Sequence, residues 1–335
     1  MRPKIAIVYN EPLPGRYGAL GEKAAVLGVM EEVEAVHRVL ADLGYPLLEL
    51  PLMPPLEQAR EKLKNLNADL VFNLFEGFDG CPGTESDEAC LMAELELTYT
   101  GNPGAALSAA LDKERFKTLL NEAGISTPRC QLLDRDSLEE FHLSYPCIVK
   151  PCAEDASHGI SEDSVVSQLA SLEKQVAWVS DSFGGKALVE EYVDGREFNA
   201  TVLGNKNPDV LPISEIVYSL PPGMPRILTF SAKWNHESAY FRSTSPNCPA
   251  EIAPDLRNRI VEAAVSVFRL LGCSGYARVD FRLDSQGKPL VLEANPNCDI
   301  SPSSGAARQA LAGGMTYSQF IEKIVLLALE RKQPS

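Results

Sequence analysis

Two carboxylates and an amide near the C-terminal end of the chain have the spacing of a divalent-cation site. The sequence predicts a hairpin over residues 276–295 that turns at residues 284–287. Because side chains alternate between the faces of a strand, one face is predicted to carry Arg278, Asp280 and Arg282 from the first strand, and Val291, Glu293 and Asn295 from the second. Opposed carboxylates destabilise a strand pair unless a cation offsets them. Oxygen-only ligands suit Mg²⁺ or Mn²⁺ and leave positions for the phosphate oxygens of a nucleotide.

A simpler interpretation of the hairpin needs no metal. In it the strands are solvated, and Arg278 and Arg282 form salt bridges with Asp280 and Glu293. The polar turn N-P-N over residues 295–297 favours a site, because an exposed turn does not need an asparagine inside the alternating pattern. From the hairpin alone, both interpretations stay open.

Two lysines occupy positions from which a charge could reach a phosphate. Lys150 ends an apolar strand over residues 146–151, and a polar loop over residues 154–161 follows it. Lys113 lies on a predicted helix near the start of the central part of the chain. Taken alone, either lysine would more often be a surface residue.

A pair of acids, Glu190 and Glu191, lies in another apolar stretch, over residues 187–193. Carboxylates repel phosphate, but they accept hydrogen bonds from an adenine amino group or from ribose hydroxyls. The alternative is the solvated edge of a sheet.

Alternating strands and helices must position these residues. Strands are predicted at residues 4–9, 45–50 and 69–74, with a helix that ends at residues 43–44 and another over residues 57–66. Such alternation favours a parallel α/β sheet, whose ligands bind beyond the carboxyl ends of the strands. The loop over residues 75–86 is therefore expected to contact a ligand.

The length of 335 residues exceeds the roughly 250–300 residues at which a single core stops growing. We predict an α/β fold with an α+β C-terminal part, divided into an N-terminal parallel α/β domain (residues 1–104), a central unit (residues 105–186) and a C-terminal unit (residues 187–335).

Two helices of the later units have specific sequence signals. The central unit is predicted to open with a helix that contains Asp112, Lys113 and Lys117. The last helix is predicted to start at Thr316, which forms a capping-box pattern with Gln319.

The composition disfavours some classes of partner. A net charge of −15 and a pI near 4.8 repel a phosphate backbone, so we expect no nucleic-acid partner. No apolar run reaches the ~18 residues of a membrane span. The eight cysteines form neither a C-x-x-C pair nor a zinc pattern, so free, reduced, buried thiols and a cytoplasmic location are expected.

Seven motifs in order resemble the ATP-grasp superfamily, and most closely its D-alanine–D-alanine ligase-like branch. They are D-K-x-x-x-K over residues 112–117, I-V-K-P over 148–151, A-S-H-G-I-S over 156–161, L-V-E-E-Y-V-D-G-R-E-F-N over 188–199, A-K-W over 232–234, A-R-V-D over 277–280 with L-E-A-N over 292–295, and A-A-R over 306–308 with G-M-T-Y over 314–317. Each motif is weak by itself, and their common order carries the resemblance.

The resemblance implies an ATP-dependent ligase that joins a carboxylate to an amine through an acyl phosphate, with ATP clasped between the central and C-terminal units. It implies that ATP is bound by Lys113, Lys150, Ser157, Glu190, Glu191, Val193, Glu197, Lys233 and Leu292. It also implies two Mg²⁺ or Mn²⁺ ions on Asp280, Glu293 and Asn295, and Arg278 and Lys233 as catalytic residues.

The resemblance is poorest where substrates would bind. A Ser/Glu motif of the branch is replaced by a longer stretch over residues 11–33, and the loop over residues 75–78 lacks the branch's histidine. The turn after the metal strand reads P-N-C-D-I-S-P over residues 296–302. Substrate contacts are therefore expected at Glu76, at Arg278 and at either Ser301 or Ser304, and the role of His158 stays open.

Several functions remain open on this basis. The first specific hypothesis is a ligase that joins two molecules of D-alanine. The next is a ligase for other amino acids or dipeptides. An ATP-binding regulatory protein without ligase activity and a phosphoryl transferase for a small metabolite are the alternatives from other classes. The branch commonly forms dimers through its N-terminal unit, so a homodimer is also expected.

Overall fold

The computed structural model describes residues 2–13, 23–78 and 81–332. The middle of the unusual stretch over residues 11–33 lies outside the described residues, at positions 14–22.

The first sheet is parallel and has the strand order β2-β1-β3. Its strands and helices are β1 (Ile5–Asn10), α1 (Lys23–Asp42), β2 (Leu47–Leu52), α2 (Leu56–Lys64), β3 (Leu70–Leu74) and α3 (Thr84–Glu94). Strands β1 and β3 are buried along their whole length, because apolar clusters cover both faces of the sheet. The predicted parallel α/β sheet is confirmed. The predicted loop over residues 75–86 is shorter than expected, since α3 already begins at Thr84.

Two helices lead out of this layer, α4 (Gly104–Leu111) and α5 (Lys113–Glu122). Asp112 separates them, and its Oδ1 accepts a hydrogen bond from the backbone N–H of Arg115 at 3.0 Å. The prediction that Asp112 lies inside a helix is therefore wrong. A carboxylate that caps the first turn of α5 is a preferred helix start.

The second sheet is antiparallel, with the order β4-β7-β5-β6. Its members are β4 (Cys130–Leu133), β5 (Cys147–Pro151), β6 (Val165–Val166) and β7 (Ala187–Glu191), and α6 (Leu169–Phe183) packs against it. Strand β7 pairs with β4 and β5 although it follows residue 186, where the sequence places a boundary. We propose that the central unit extends through β7 and that the chain changes sheet between Glu191 and Glu197.

The third sheet has the order β11-β10-β8-β12-β13, with β9 beside β8. Its strands are β8 (Glu197–Gly204), β9 (Asp209–Val210), β10 (Ser214–Tyr218), β11 (Thr244–Asn247), β12 (Gly275–Leu283) and β13 (Pro289–Asn295). The accompanying helices are α7 (Phe230–Trp234), α8 (Ala239–Arg242), α9 (Pro254–Leu270), α10 (Gly305–Ala312) and α11 (Tyr317–Lys332).

Two local predictions for this last part of the chain, a hairpin turn and a helix cap, are confirmed. The hairpin of β12 and β13 turns where predicted, and Oδ1 of Asp284 accepts 2.8 Å hydrogen bonds from the backbone N–H groups of Gln286 and Lys288. Thr316 and Gln319 form the predicted reciprocal cap at 2.8 and 3.2 Å.

All eight cysteines are free, but their predicted burial is only partly correct. Cys147, Cys273 and Cys298 are buried, whereas Cys81 and Cys90 are exposed. Among the described residues, no helix combines the length and the apolar character needed to cross a membrane.

Candidate active site

Asp280 on β12 lies directly opposite Glu293 on β13, and Arg278 lies opposite Asn295. The register shifts immediately afterwards, because Phe281 pairs with Val291. Strand β13 therefore contains one extra residue, at position 292, and this irregularity is a β-bulge.

The bulge corrects one prediction. Val291 is not on the face of Glu293 but is buried in the core with Val279 and Phe281. Strict alternation over β13 is lost at the bulge, so only Glu293 and Asn295 remain on the face that carries Asp280.

The carboxylate of Asp280 is buried and has two partners. Arg278 forms a fork with it, at 2.8 Å from Nε to Oδ1 and 2.9 Å from Nη2 to Oδ2, and Asn199 Nδ2 donates to Oδ1 at 2.7 Å. Burial raises the pKa of Asp280, and Arg278 only partly offsets this. The salt-bridge interpretation is thus correct for Arg278 and Asp280, but the hairpin is not solvated.

Glu293 lies within a ring of cations. Burial by itself would raise the pKa of Glu293, but Lys113, Lys150, Arg278 and Lys233 together hold it below its usual value. Lys233, on the short helix α7, has a lowered pKa because it is buried and lies near Arg278. The lysines predicted to bind phosphate and the acids predicted to bind metal therefore converge on one place.

A second cluster of charged side chains connects the second sheet, through Glu190 on β7, to the bulge at Leu292. Lys117 and Lys150 both form ion pairs with the buried Glu190, the first at 2.5 Å. Lys117 Nζ also donates to Thr127 Oγ1 at 2.7 Å and to the carbonyl of Leu292 at 2.8 Å. Burial opposes ionisation of Glu190, but the two lysines lower its pKa to about 2. The sequence predicts no role for Lys117, although its position four residues after Lys113 places both lysines on the same side of a helix.

The residues predicted to bind adenosine do not all have their side chains on the same face of the sheet. Glu190 and Glu191 point to opposite faces of β7, and Glu191 contacts Arg129 at 3.1 Å. The side chain of Glu191 therefore lies on the opposite face of β7 from the pairs that Glu190 forms with Lys117 and Lys150. Oε2 of Glu197 accepts hydrogen bonds from Arg282 and from the hydroxyl of Tyr218, and the carbonyl of Val193 accepts one from Arg282 Nη1 at 2.7 Å.

The loop after β5 approaches the same place. Lys113 Nζ donates to the carbonyl of Glu154. Ala156 and Ser157 have φ angles of 47° and 64°, a left-handed conformation that costs non-glycine residues energy and that concentrates at functional sites. His158 is buried, with its ring centroid 5.5 Å from that of Phe230.

Glu76, which follows β3, lies near two acids from other parts of the chain, Asp155 and Asp299. Its side chain is exposed, but desolvation by the surrounding protein, together with the charges of these two acids, raises the pKa of Glu76 to about 8. Ser301 and Ser304 are both buried. Ser304 caps α10, since its Oγ accepts a hydrogen bond from the backbone N–H of Ala307 at 3.1 Å.

A four-stranded and a larger antiparallel sheet that bring lysines and paired acids to one place define an ATP-grasp protein. The D-ala D-ala ligase C-terminus family model matches residues 111–326. The chain is 30% identical to the D-alanine–D-alanine ligase of Carboxydothermus hydrogenoformans, over 90% of this chain and 93% of that protein. It belongs to the D-alanine–D-alanine ligase family.

Three further proteins are similar to this chain. An uncharacterized protein of Sinorhizobium fredii, y4sG, is 34% identical over 83% of this chain and 78% of that protein. The fold is similar to that of a Bacillus anthracis D-alanine–D-alanine ligase complexed with ATP (TM-score 0.75, 20% identity, 99% and 98% of the two chains). It is also similar to the VanG D-Ala:D-Ser ligase of Enterococcus faecalis (TM-score 0.74, 22% identity, 98% and 100% of the chains).

Proposed function

We propose that this protein is an ATP-dependent ligase that joins the carboxylate of one amino acid to the amine of another through an acyl phosphate. The observation that carries the proposal is the ring of Lys113, Lys150, Lys233 and Arg278 around Glu293, directly opposite Asp280. The three lysines of this ring can neutralise a triphosphate, and the relatives named above include ligases for D-alanine.

The donor set fits Mg²⁺ or Mn²⁺ and no softer metal. Among the described residues, no group of three or more His, Cys, Asp or Glu side chains could hold a metal. Two opposed carboxylates and the amide of Asn295 instead leave a hard, oxygen-only site with room for phosphate oxygens. When bound, such ions offset the charge that develops on a transferring phosphoryl group. To bind a cation, Asp280 must loosen its fork with Arg278.

That exchange gives Arg278 a role. Released from Asp280, the guanidinium can stabilise the oxyanion that forms when an amine attacks the acyl carbonyl, a contribution worth ~2.7–4 kcal/mol for a fixed donor. Lys113, Lys150 and Lys233 hold the phosphates in line with the attacking carboxylate. The strained loop with Ser157 closes over them, because an acyl phosphate must be kept from water.

Glu190, Val193, Glu197 and Leu292 form the adenosine side of this arrangement. Glu190 keeps Lys117 and Lys150 in place, and the carbonyls and carboxylate that follow it can accept hydrogen bonds from the base and the ribose. Ser304 is a better candidate than Ser301 for a substrate carboxylate. It already lies at the start of α10, where backbone N–H groups favour an anion.

D-alanine is the first substrate to test, and another amino acid is the alternative. Asp299 and Glu76 place two acids at the open end of the site, where the sequence departs most from the family pattern. We further propose a cytoplasmic enzyme that forms homodimers.

The test is ADP release with D-alanine alone, followed by a screen of D- and L-amino acids singly and in pairs. Turnover with at least one amino acid, together with a peptide product, is the expected result. ATP binding without ADP release across the whole screen would favour a regulatory protein. A stable phosphorylated product would favour a phosphoryl transferase.

A further inference from the structure

Arg282 on β12 contacts three separate segments of the chain. It is 3% exposed, so its guanidinium is shielded from water. Its Nε and Nη2 lie 3.0 and 2.5 Å from Oε2 of Glu197, and its Nη1 lies 2.7 Å from the carbonyl of Val193. Its Nη2 also donates to the carbonyl of Arg226. A buried guanidinium is tolerated only when its donors are satisfied in this way.

The donors around Glu197 are arranged unequally. Both bonds from Arg282 and the 2.8 Å bond from the hydroxyl of Tyr218 end on Oε2. Within residues 2–13, 23–78 and 81–332, every hydrogen bond to the Glu197 carboxylate ends on Oε2, and none reaches Oε1. One carboxylate oxygen is thus fixed by protein, and the other is left to accept from a ligand.

The segment around Arg226 is hydrogen-bonded to the hinge segment (residues 192–196, between β7 and β8). Arg226 Nε donates to Oδ1 of Asp194 at 2.8 Å, and its backbone N–H donates to the hydroxyl of Tyr192 at 2.9 Å. This segment leads into α7, which carries Lys233. Arg282 therefore connects Glu197 to the hinge segment and to the approach of a phosphate-binding lysine.

We propose that Arg282 is a positioning residue for nucleotide recognition: it holds Glu197 with Oε1 presented to a ribose hydroxyl and fastens the hinge segment and the segment before α7 around it. The inference rests on the proposed binding of ATP but not on ligase turnover. A lysine could not replace the arginine fully, because an ammonium is a single point charge and cannot form the planar fork that reaches three acceptors.

The experiment compares binding of ATP, 2′-deoxy-ATP and 3′-deoxy-ATP by calorimetry in the presence of Mg²⁺. We expect the wild type to bind ATP about 10- to 100-fold more tightly than at least one deoxynucleotide, the effect of one hydrogen bond to a charged group. Arg282→Met is expected to bring that ratio close to one, as is Glu197→Gln. The two changes combined should have no further effect on the ratio.

Arg60→Met is the control. Arg60 also forms an ion pair with a carboxylate, with Nη2 2.7 Å from Oε2 of Glu94, but it lies on α2 in the N-terminal part of the fold and both side chains are exposed. It should leave the ribose preference unchanged. Tyr218→Phe removes one donor to Oε2 without removing a charge and should lower the preference partially, which keeps a test available if Arg282→Met does not fold.

Three results would overturn the inference. One is a folded Arg282→Met, or a Tyr218→Phe, that keeps the full wild-type ratio. Another is an equal loss of affinity for all three nucleotides, which would show a general structural role. The third is a wild type without ribose preference. If the wild type discriminates as expected but no amino acid supports ADP release, the ligase proposal fails and the role of Arg282 stands.

Discussion

Asp280 and Glu293 are cross-strand partners, and a β-bulge begins at the next position beyond them. Two carboxylates that lie directly opposite each other in this geometry are unfavourable by themselves. Arg278 and Asn199 stabilise Asp280 from one side, and four cationic side chains surround Glu293. The cluster thus contains four positive side chains and two carboxylates, and we propose that this excess of positive charge attracts a triphosphate together with its divalent cations.

Glu293→Gln should lower the rate of ADP release by at least about 100-fold, because it removes one of two carboxylates that would hold the cation near the phosphates. The half-saturating Mg²⁺ concentration should rise with it. Glu262→Gln, an exposed change on α9, serves as the control. Undiminished turnover at saturating Mg²⁺ would remove Glu293 from the metal site.

Arg278→Ala should lower kcat by about 10²- to 10³-fold with little change in ATP affinity, since the proposed contact of Arg278 with the substrate forms only in the transition state. Steady-state kinetics and nucleotide binding, measured on the same preparation, separate the two effects. If ATP affinity collapses while kcat holds, Arg278 binds the ground state of the nucleotide instead.

Lys117→Met should lower the free energy of unfolding by about 3–5 kcal/mol, because the buried Glu190 loses one of its two cationic partners and the bulge carbonyl of Leu292 loses a donor. Denaturant titration at neutral pH measures this change. Lys174→Met, at an exposed position on α6, should change stability little. A loss equal to that of the control would show that the Lys117–Glu190 pair contributes no net stability.

Glu88→Gln should stabilise the protein increasingly as pH rises. Burial raises the pKa of Glu88 to about 8, although a hydrogen bond from Asn73 opposes the shift. Between the unfolded pKa of 4.5 and this value, the folded state binds the extra proton, so wild-type stability falls with pH.

The slope due to Glu88 is about 1.4 kcal/mol per pH unit within that window. The measurement is the difference in unfolding free energy between wild type and variant from pH 5 to pH 8. Ala93→Ser, an exposed change on the same helix that removes no carboxyl group, should give a flat difference. A flat difference for Glu88→Gln as well would mean that this carboxyl ionises normally in the fold.

Local sequence signals were enough to predict the pairing of Asp280 with Glu293. That pairing depends on one turn, and the turn is set by Asp284 and its neighbours. The parallel order of the first sheet likewise follows from alternating strands and helices. The collinear motifs indicated the family and brought the distant lysines into one hypothesis.

Long-range pairing explains what the sequence did not show. The roles of Asn199 and Arg282 depend on the pairing of β8 with β12, which places them beside Asp280 and Glu197 respectively. The bulge at Leu292 accompanies the hydrogen bond from Lys117, which comes from a helix about 175 positions earlier in the chain. No local pattern in β13 reports such a contact, so strict alternation predicts the wrong face for Val291.

The central claim is that a substrate carboxylate is activated by phosphoryl transfer, and oxygen transfer tests it most directly. An amino acid found active in the screen is labelled with ¹⁸O in its carboxylate, and the released phosphate is examined by mass spectrometry. If the carboxylate attacks the γ-phosphate and the amine then displaces phosphate, one ¹⁸O must leave with that phosphate. Phosphate without label, formed in step with the peptide product, would contradict the acyl-phosphate mechanism.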